Sequence, residues 1–204
     1  MRHNSMSAKL LMEVSDRFQG AELFHRESAD LMHFLGFLGF SLLHEYQLLS
    51  ESIEQRRVKR YITSTYHVYL PDLIPESAGL AAQLLEGKDR LEISCEEVAT
   101  ILKHAFEVYA EWEENTLELY QKVAADLLKS GEISAFHFVS EIVRDVKEEL
   151  TAINDMIIGF NAMDWDKAQI QAEQNTYFER YEKLARELLS GSQGIVAPST
   201  RPTS

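Results

Sequence analysis

The sequence predicts an all-α protein, a four-helix bundle followed by one additional C-terminal helix. Apolar residues recur every three or four positions along most of the chain, which is the spacing that gives a helix one buried face. Glycine and proline are scarce, at 9 and 4 of 204 residues, whereas a β protein rich in turns needs many of both. Hydrophobic residues make up 45% of the chain, enough to form one sizeable core.

Five helices follow from the apolar spacing and from the residues that stop helices. They are predicted to cover about 7–40, 43–68, 94–129, 133–160 and 165–189. Few residues separate the first two helices, so they are expected to pack as antiparallel neighbours. Ser94 and Glu97 form a capping-box pattern at the start of the third helix, and Asp164 is the predicted cap of the fifth.

A long connection separates the two helix pairs. Pro71 and Pro75 end the second helix, and the chain then runs to Ser94 with one short helix expected around 78–85. A simple up-and-down bundle needs a short connection at this point, whereas one long crossover is typical of another class of four-helix bundle. The predicted organisation is a flexible N-terminus (1–7), the bundle (8–160), the C-terminal amphipathic helix (161–190) and a disordered tail (191–204).

The charge balance limits the function classes. The chain has 33 Asp and Glu against 20 Lys and Arg, a net charge of −13, which disfavours nucleic acid and anionic membranes as partners. Such a surface concentrates cations, although it also serves plain solubility. The single cysteine, Cys95, excludes an intrachain disulfide, and no signal-like segment follows residues 1–7. We therefore predict a soluble, cytoplasmic protein.

Glutamates fall on the core-facing stripe of all four bundle helices. The residues concerned are Glu22 with His25 on the first helix, Glu51 with Glu54 on the second, Glu113 on the third and Glu149 on the fourth. Residues three apart on a helix point the same way, so both members of each pair can reach one site. Burying a lone carboxylate is costly, and a salt bridge is the simpler explanation for any one of them. Carboxylates from four helices together favour a site for iron or manganese.

Four segments carry a resemblance to a known family. They are Glu22-Leu23-Phe24 to Met32, Glu51-x-x-Glu54 leading into Tyr61-Ile62-Thr63, 109–138 with Trp112-Glu113-Glu114, and Asp145 to Glu149. In these segments the chain resembles the ferritin family, most closely the bacterial non-haem ferritins. The resemblance implies a ferritin-like four-helix bundle with an iron site, in which Glu22, Glu51, Glu113 and Glu149 are ligands and Glu51 bridges two ions.

The chain also departs from the family pattern, so an altered metal site is expected. Glu54 stands where the family has the histidine of a Glu-x-x-His motif, and Ala29 stands where many ferritins have a tyrosine near the site. His25, one turn from Glu22, either replaces the missing histidine or is a core histidine. The remaining histidines have no partner at ligand spacing: His33, His44, His67, His104 and His137.

Three functions are compatible with this resemblance. The first is a ferroxidase that oxidises Fe(II) with O2 or H2O2 in iron storage or detoxification. It implies iron as the metal, with manganese or zinc as alternatives, and a homo-oligomer that is at least a dimer. The second is a ferritin-like scaffold with a degenerate metal site that acts in protein–protein assembly, which the long fifth helix favours. The third is a di-iron oxidase acting on a small substrate.

Overall fold

A computed structural model describes residues 2–69, 84 and 92–195 of the chain. Its helices are α1 (Arg2–Leu35), α2 (Leu38–Tyr66), α3 (Cys95–Lys129), α4 (Ile133–Ala162) and α5 (Lys167–Ile195). These helices confirm the predicted all-α class. Apart from residue 84, the short helix predicted around 78–85 lies outside the described residues, as do the prolines of the connection and the end of the predicted disordered tail, 196–204. None of the described helices has an apolar stretch long enough to cross a membrane.

The turn between α1 and α2 is tighter than predicted. Gly36 has a φ of 88°, a left-handed conformation that glycine adopts without strain, and α2 begins two residues later. The amide of Phe37 donates to the carbonyl of Met32 at 2.9 Å, and the Phe37 side chain is fully buried. The first helix therefore ends at Leu35, and not near Phe40 as predicted. The two helices pack against each other, as expected.

The start of α3 follows the prediction. The amide of Glu97 donates to the Ser94 hydroxyl at 3.2 Å, and the amide of Ser94 donates to the Glu97 carboxylate at 3.0 Å. This reciprocal pair satisfies two of the amides that a helix start leaves unpaired. At the other end, Gly131 has a φ of 80° and separates α3 from α4.

The predicted cap of α5 is wrong by two residues. Asp164 lies in a turn with a φ of 50°, and the carboxylate of Asp166 instead accepts the amide of Gln169 at 2.9 Å. The cause is tertiary packing of Trp165, which is 6% exposed and has its ring centroid 5.4 Å from that of Phe160. Burying this indole places Trp165 in a left-handed turn, so α5 begins only at Lys167.

Buried apolar side chains form two separate clusters along the bundle. The aromatic cluster includes Phe24, Phe37, Phe40, Phe106, Phe160 and Trp165. The aliphatic cluster includes Leu11, Val14, Val58, Ile62, Val123, Leu127, Val139 and Ile142. Between them, core-facing positions on the bundle helices carry polar side chains. On α4, for example, Glu149 lies between Val146 of the aliphatic cluster and Ile153 of the aromatic cluster. We call this zone the polar layer.

Helix α5 packs on α2 and covers the aromatic cluster. The side-chain oxygen of Gln174 accepts the amide of Gly39 at 3.0 Å, and its amide nitrogen lies 3.4 Å from the carbonyl of Gly36. A Cβ at Gly39 would lie 2.2 Å from the carbonyl oxygen of Gln174, so only glycine permits this approach. The Tyr46 and Tyr181 rings are in contact, with centroids 5.6 Å apart. The C-terminal helix is thus an integral part of one end of the core.

Candidate metal centre

Three of the predicted ligands converge in the polar layer from three different helices. One side-chain donor atom each of His25 on α1, Glu113 on α3 and Glu149 on α4 lie within 4.8 Å of one another. His25 and Glu113 are buried, and Glu149 is partly buried. The convergence follows from the helical spacing that placed each residue on a core-facing stripe.

Glu51 is not one of the three converging residues, but it interacts electrostatically with Glu113 and Glu149. Burial raises its pKa well above the ordinary glutamate range, and the carboxylates of Glu149, Glu113, Glu54 and Glu22 raise it further, in that order. Carboxylates from all four bundle helices therefore act on one another. A cation bound among them would relieve the repulsion that raises the pKa of Glu51.

Glu54 is not one of the three converging residues and pairs with a cation. Its carboxylate forms an ion pair with Arg57 at 3.2 Å, and Arg57 also pairs with Glu141 of α4 at 2.6 Å. Burial raises the pKa of Glu54, and the Arg57 guanidinium opposes that increase. The salt bridge, which is the simpler explanation for a single core-facing glutamate, therefore accounts for Glu54. Glu22, which is partly buried, is among the carboxylates that raise the pKa of Glu51.

The carboxylate of Glu149 is oriented by two neutral donors. The Tyr109 hydroxyl donates to Glu149 Oε1 at 2.5 Å, and the side-chain amide of Gln47 donates to the same oxygen. Burial raises the pKa of Glu149 to about 7, whereas the bond from Tyr109 lowers it. Because the donors come from α3 and α2, the position of this carboxylate depends on the packing of three helices.

A buried histidine pair lies beside the carboxylates. The Nδ1 atoms of His25 and His44 are 3.0 Å apart, so one must donate and the other accept. Burial lowers the pKa of His44 to about 3 and also lowers the pKa of His25, where His44 adds to the effect. Both imidazoles are therefore neutral at physiological pH.

The contact with His44 determines what His25 can do. His25 Nε2 lies 4.0 Å from Glu113 Oε1 and has no hydrogen-bond partner in the described part of the chain. A proton on this nitrogen would be a buried donor without an acceptor, which is costly. When His25 instead donates through Nδ1 to His44, its Nε2 keeps a lone pair, as a metal ligand requires. The donor set of one imidazole nitrogen and several carboxylates thus fits a cation.

The sequence alone does not reveal the role of His44, because its partner lies on another helix. His44, Gln47 and Glu51 follow each other at intervals of three and four residues, which places them on one face of α2. The spacing shows only that these three side chains share one face of α2. The face becomes part of a site because α1 packs against it and brings His25 next to His44. The prediction that His44 has no partner at ligand spacing holds only within its own helix.

Arg17 supplies a positive charge on the side of the polar layer nearer the aliphatic cluster. Its guanidinium donates to Thr116 Oγ1 and to the carbonyl of Trp112, both at 2.7 Å, and lies 3.6 Å from the centroid of the Trp112 ring. Burial lowers the pKa of Arg17, whereas Glu113 and Glu51 act to raise it. Arg17 in turn lowers the pKa of Glu113, which burial and Glu149 together raise.

Comparison with solved structures identifies the architecture. The open-pore ferritin of the hyperthermophilic archaeon Archaeoglobus fulgidus matches with a TM-score of 0.61 and 16% sequence identity, covering 83% of this chain and 94% of that chain. The chain has a ferritin-like fold. At 16% identity the likeness concerns the ferritin-like fold alone, so the ligand assignments and the resemblance to bacterial non-haem ferritins stay predictions. No protein-family model matches the sequence, and no curated protein is significantly similar to it.

Proposed function

We propose that this ferritin-like protein binds iron in its polar layer and oxidises Fe(II), with O2 or H2O2 as the electron acceptor. The observation that carries the proposal is the convergence of His25, Glu113 and Glu149 within 4.8 Å, together with the unpaired Nε2 of His25. Imidazole nitrogen with carboxylate oxygen suits iron, and also manganese and zinc. The resemblance to ferritins at these positions favours iron.

The charge of the layer accommodates one or two divalent ions. Glu22, Glu51, Glu113 and Glu149 supply four negative charges when ionised, and Arg17 supplies one positive charge, which leaves three negative. One divalent cation leaves the layer negative, whereas two exceed its charge by one unit. We assign His25, Glu113 and Glu149 to one ion, Glu51 to a bridging position and Glu22 to the second ion. Glu54 has a peripheral role because it pairs with Arg57.

Each residue has a defined part in this proposal. The carboxylates attract the ion more strongly as its charge rises, so they favour Fe(III) over Fe(II) and promote loss of one electron from each iron to the oxidant. Burial and mutual repulsion raise the pKa of Glu51 and Glu113, and a bound cation lowers it, so binding is coupled to proton release. Tyr109 and Gln47 keep Glu149 in position, and His44 holds the tautomer of His25.

Iron loading tests the proposal directly. Metal-free protein is incubated with Fe(II) in air, ferric absorbance is followed, and bound metal is measured by elemental analysis. About two irons per chain with rapid oxidation are expected, and a larger load indicates mineral storage. The double variant Glu51→Ala/Glu113→Ala should lose both binding and oxidation. Glu114→Ala, a change at an exposed neighbour, is the matched control and should retain both.

Failure of the wild-type protein to bind iron or to oxidise it faster than buffer alone would overturn the proposal. The second candidate, a ferritin-like assembly scaffold, would then be favoured. One reason for that candidate was the long fifth helix, but α5 packs on α2 of its own chain and buries Ile170 completely. Competition by Mn(II) and Zn(II) in the same assay identifies the preferred metal.

A homo-oligomer, at least a dimer, in the cytoplasm remains part of the proposal. Exposed apolar side chains on α3 and α4 support it, since Leu128, Ile133 and Ile158 are 47%, 50% and 67% exposed. Light scattering coupled to size-exclusion chromatography measures the assembly. A monomer throughout the micromolar range would contradict it.

A further inference from the structure

A pocket of about 330 Å³ lies beside the metal centre, between α2, α4 and α5. Gln47, Tyr109 and Glu149, which form part of the centre, are among its lining residues. Its apolar lining residues are Leu43, Ile153, Met156 and Leu184, and polar groups contribute slightly more of its surface than apolar groups do. The volume lies within the range of small-molecule sites, and a wall that combines apolar side chains with polar groups suits an amphipathic ligand.

The C-terminal helix contributes a cation to this pocket. Arg180 lines it together with Tyr46 and Tyr181. It opposes the rise in the pKa of both tyrosines that burial causes, so its positive charge acts on the pocket wall. Neighbouring cations on α5 differ, because Lys183 pairs with Glu187 and Arg186 pairs with Glu182. Arg180 forms no ion pair with any residue that the structure describes.

We propose that this pocket binds a small molecule with one anionic group and an apolar body, for which a medium-chain carboxylic acid is the simplest example. The anion pairs with Arg180, and the apolar body lies against Leu43, Ile153 and Leu184. This arrangement brings the ligand next to Glu149. Binding at this site goes beyond iron oxidation and requires no metal.

The alternative occupant of the pocket is a metal ion on its way to the centre. Glu148 and Glu149 line the pocket and would attract a cation, but Glu148 is exposed and lies 4.0 Å from Arg144. The apolar lining residues Leu43, Ile153, Met156 and Leu184 offer no ligand atoms, and Arg180 repels positive charge. These features favour an amphipathic anion over a cation.

Octanoate is the probe, and isothermal titration calorimetry on the metal-free full-length chain is the measurement. Wild-type protein is expected to bind octanoate, whereas octylamine, which has the same chain and the opposite charge, should not bind. Arg180→Gln should weaken octanoate binding by at least about tenfold, since it removes the charge that recognises the anion. Arg186→Gln, on the same helix, is the matched control and should bind as the wild type does. Ala152→Phe, a change at an exposed lining residue, should block binding by filling the space.

Three results would overturn the proposal. They are no octanoate binding by the wild-type protein, equal binding by Arg180→Gln, and equal binding by an Ala152→Phe variant whose circular dichroism and melting are unchanged. Faster iron uptake by Arg180→Gln without octanoate binding would show that the pocket is an ion path instead. Iron oxidation is measured on the same proteins. Octanoate binding by a chain that does not oxidise iron would contradict the ferroxidase proposal alone, and the reverse would contradict the pocket proposal alone.

Discussion

The two ends of the bundle are built differently, although the same four helices run through both. At one end the aromatic cluster is covered by α5, and Ile170 of that helix is fully buried. At the other end, α1, α2, α3 and α4 form the aliphatic cluster without the fifth helix. The polar layer therefore lies between one end that includes α5 and one end that is formed by α1 to α4 alone.

The polar layer reflects this difference. On the side of the aromatic cluster its carboxylates and imidazole meet neutral partners, namely Tyr109, Gln47 and His44. On the side of the aliphatic cluster they meet a cation, Arg17. Neutral donors fix the orientation of Glu149 without adding a positive charge at the point where it converges with His25 and Glu113. The neutral partners thus orient a carboxylate without neutralising it, so that it can still bind a cation.

Truncating one buried residue in each cluster would test this difference most strongly. Phe160→Ala in the aromatic cluster and Leu127→Ala in the aliphatic cluster should lower the free energy of unfolding by about 3–5 and about 2–5 kcal/mol. Only Phe160→Ala should also loosen α5, because Phe160 contacts Trp165 just before that helix. Urea titration gives the stability, and amide hydrogen exchange reports on α5. Equal protection of α5 in both variants would contradict the comparison.

Gly39→Ala is expected to have the next largest effect. The new Cβ would meet the backbone of Gln174 at 2.2 Å, so α5 must move away from α2. The cost should be about 1–3 kcal/mol in thermal or urea unfolding, as for other overpacked sites. Gly159→Ala is the matched control, since nothing lies within 4 Å of its Cβ and it lies inside α4. That substitution should stabilise the protein by up to about 1 kcal/mol through helix propensity. A destabilisation of similar size in both variants would mean that the approach of α5 is not the cause.

A smaller effect is expected on the pH dependence of stability. In the metal-free protein, this dependence should reveal the ionisation of Glu149 in the polar layer. The pKa of Glu149 is raised from 4.5 to about 7, so the folded state holds this proton more tightly than the unfolded chain. Its contribution to stability is fully present below pH 4.5 and is lost as the pH rises through about 7. Glu149→Gln should therefore gain about 1–2 kcal/mol over the wild type between pH 5 and pH 8.

Melting temperatures of the two chelator-treated proteins across that pH range provide the measurement. Glu148→Gln is the control, because Glu148 is the exposed neighbour of Glu149. It should follow the wild type at every pH. Parallel curves for wild type and Glu149→Gln would show that this carboxylate titrates normally.

The sequence predicted those features that depend on one helix at a time. Ser94 and Glu97 signal a helix start by themselves, and Glu113 and Glu149 stand out because their own helices are apolar at neighbouring core-facing positions. The helices in the described part of the chain and the identities of the converging side chains follow from such local patterns.

The features that the sequence did not predict are those that require two helices to meet. His44 and Arg17 gain their roles from partners on other helices, 19 and 99 residues away in the chain. Gly39 is the point where α5 approaches α2, which its own helix does not indicate. Asp164 has the chemistry of a cap, and the burial of Trp165 displaced that role to Asp166. In each case tertiary packing overrides a local preference.

Because of the position of α5, substitutions on this helix affect different groups from substitutions on α1 to α4. Helices α1 to α4 supply the carboxylates and imidazoles of the polar layer, whereas α5 supplies Arg180, Tyr181 and Leu184 to the adjoining pocket. Substitutions on α5 can therefore alter the shape and charge of the pocket without touching the groups that would hold metal. A lineage carrying this fold could exchange one small ligand for another by varying a single helix, while the chemistry beside it is inherited unchanged.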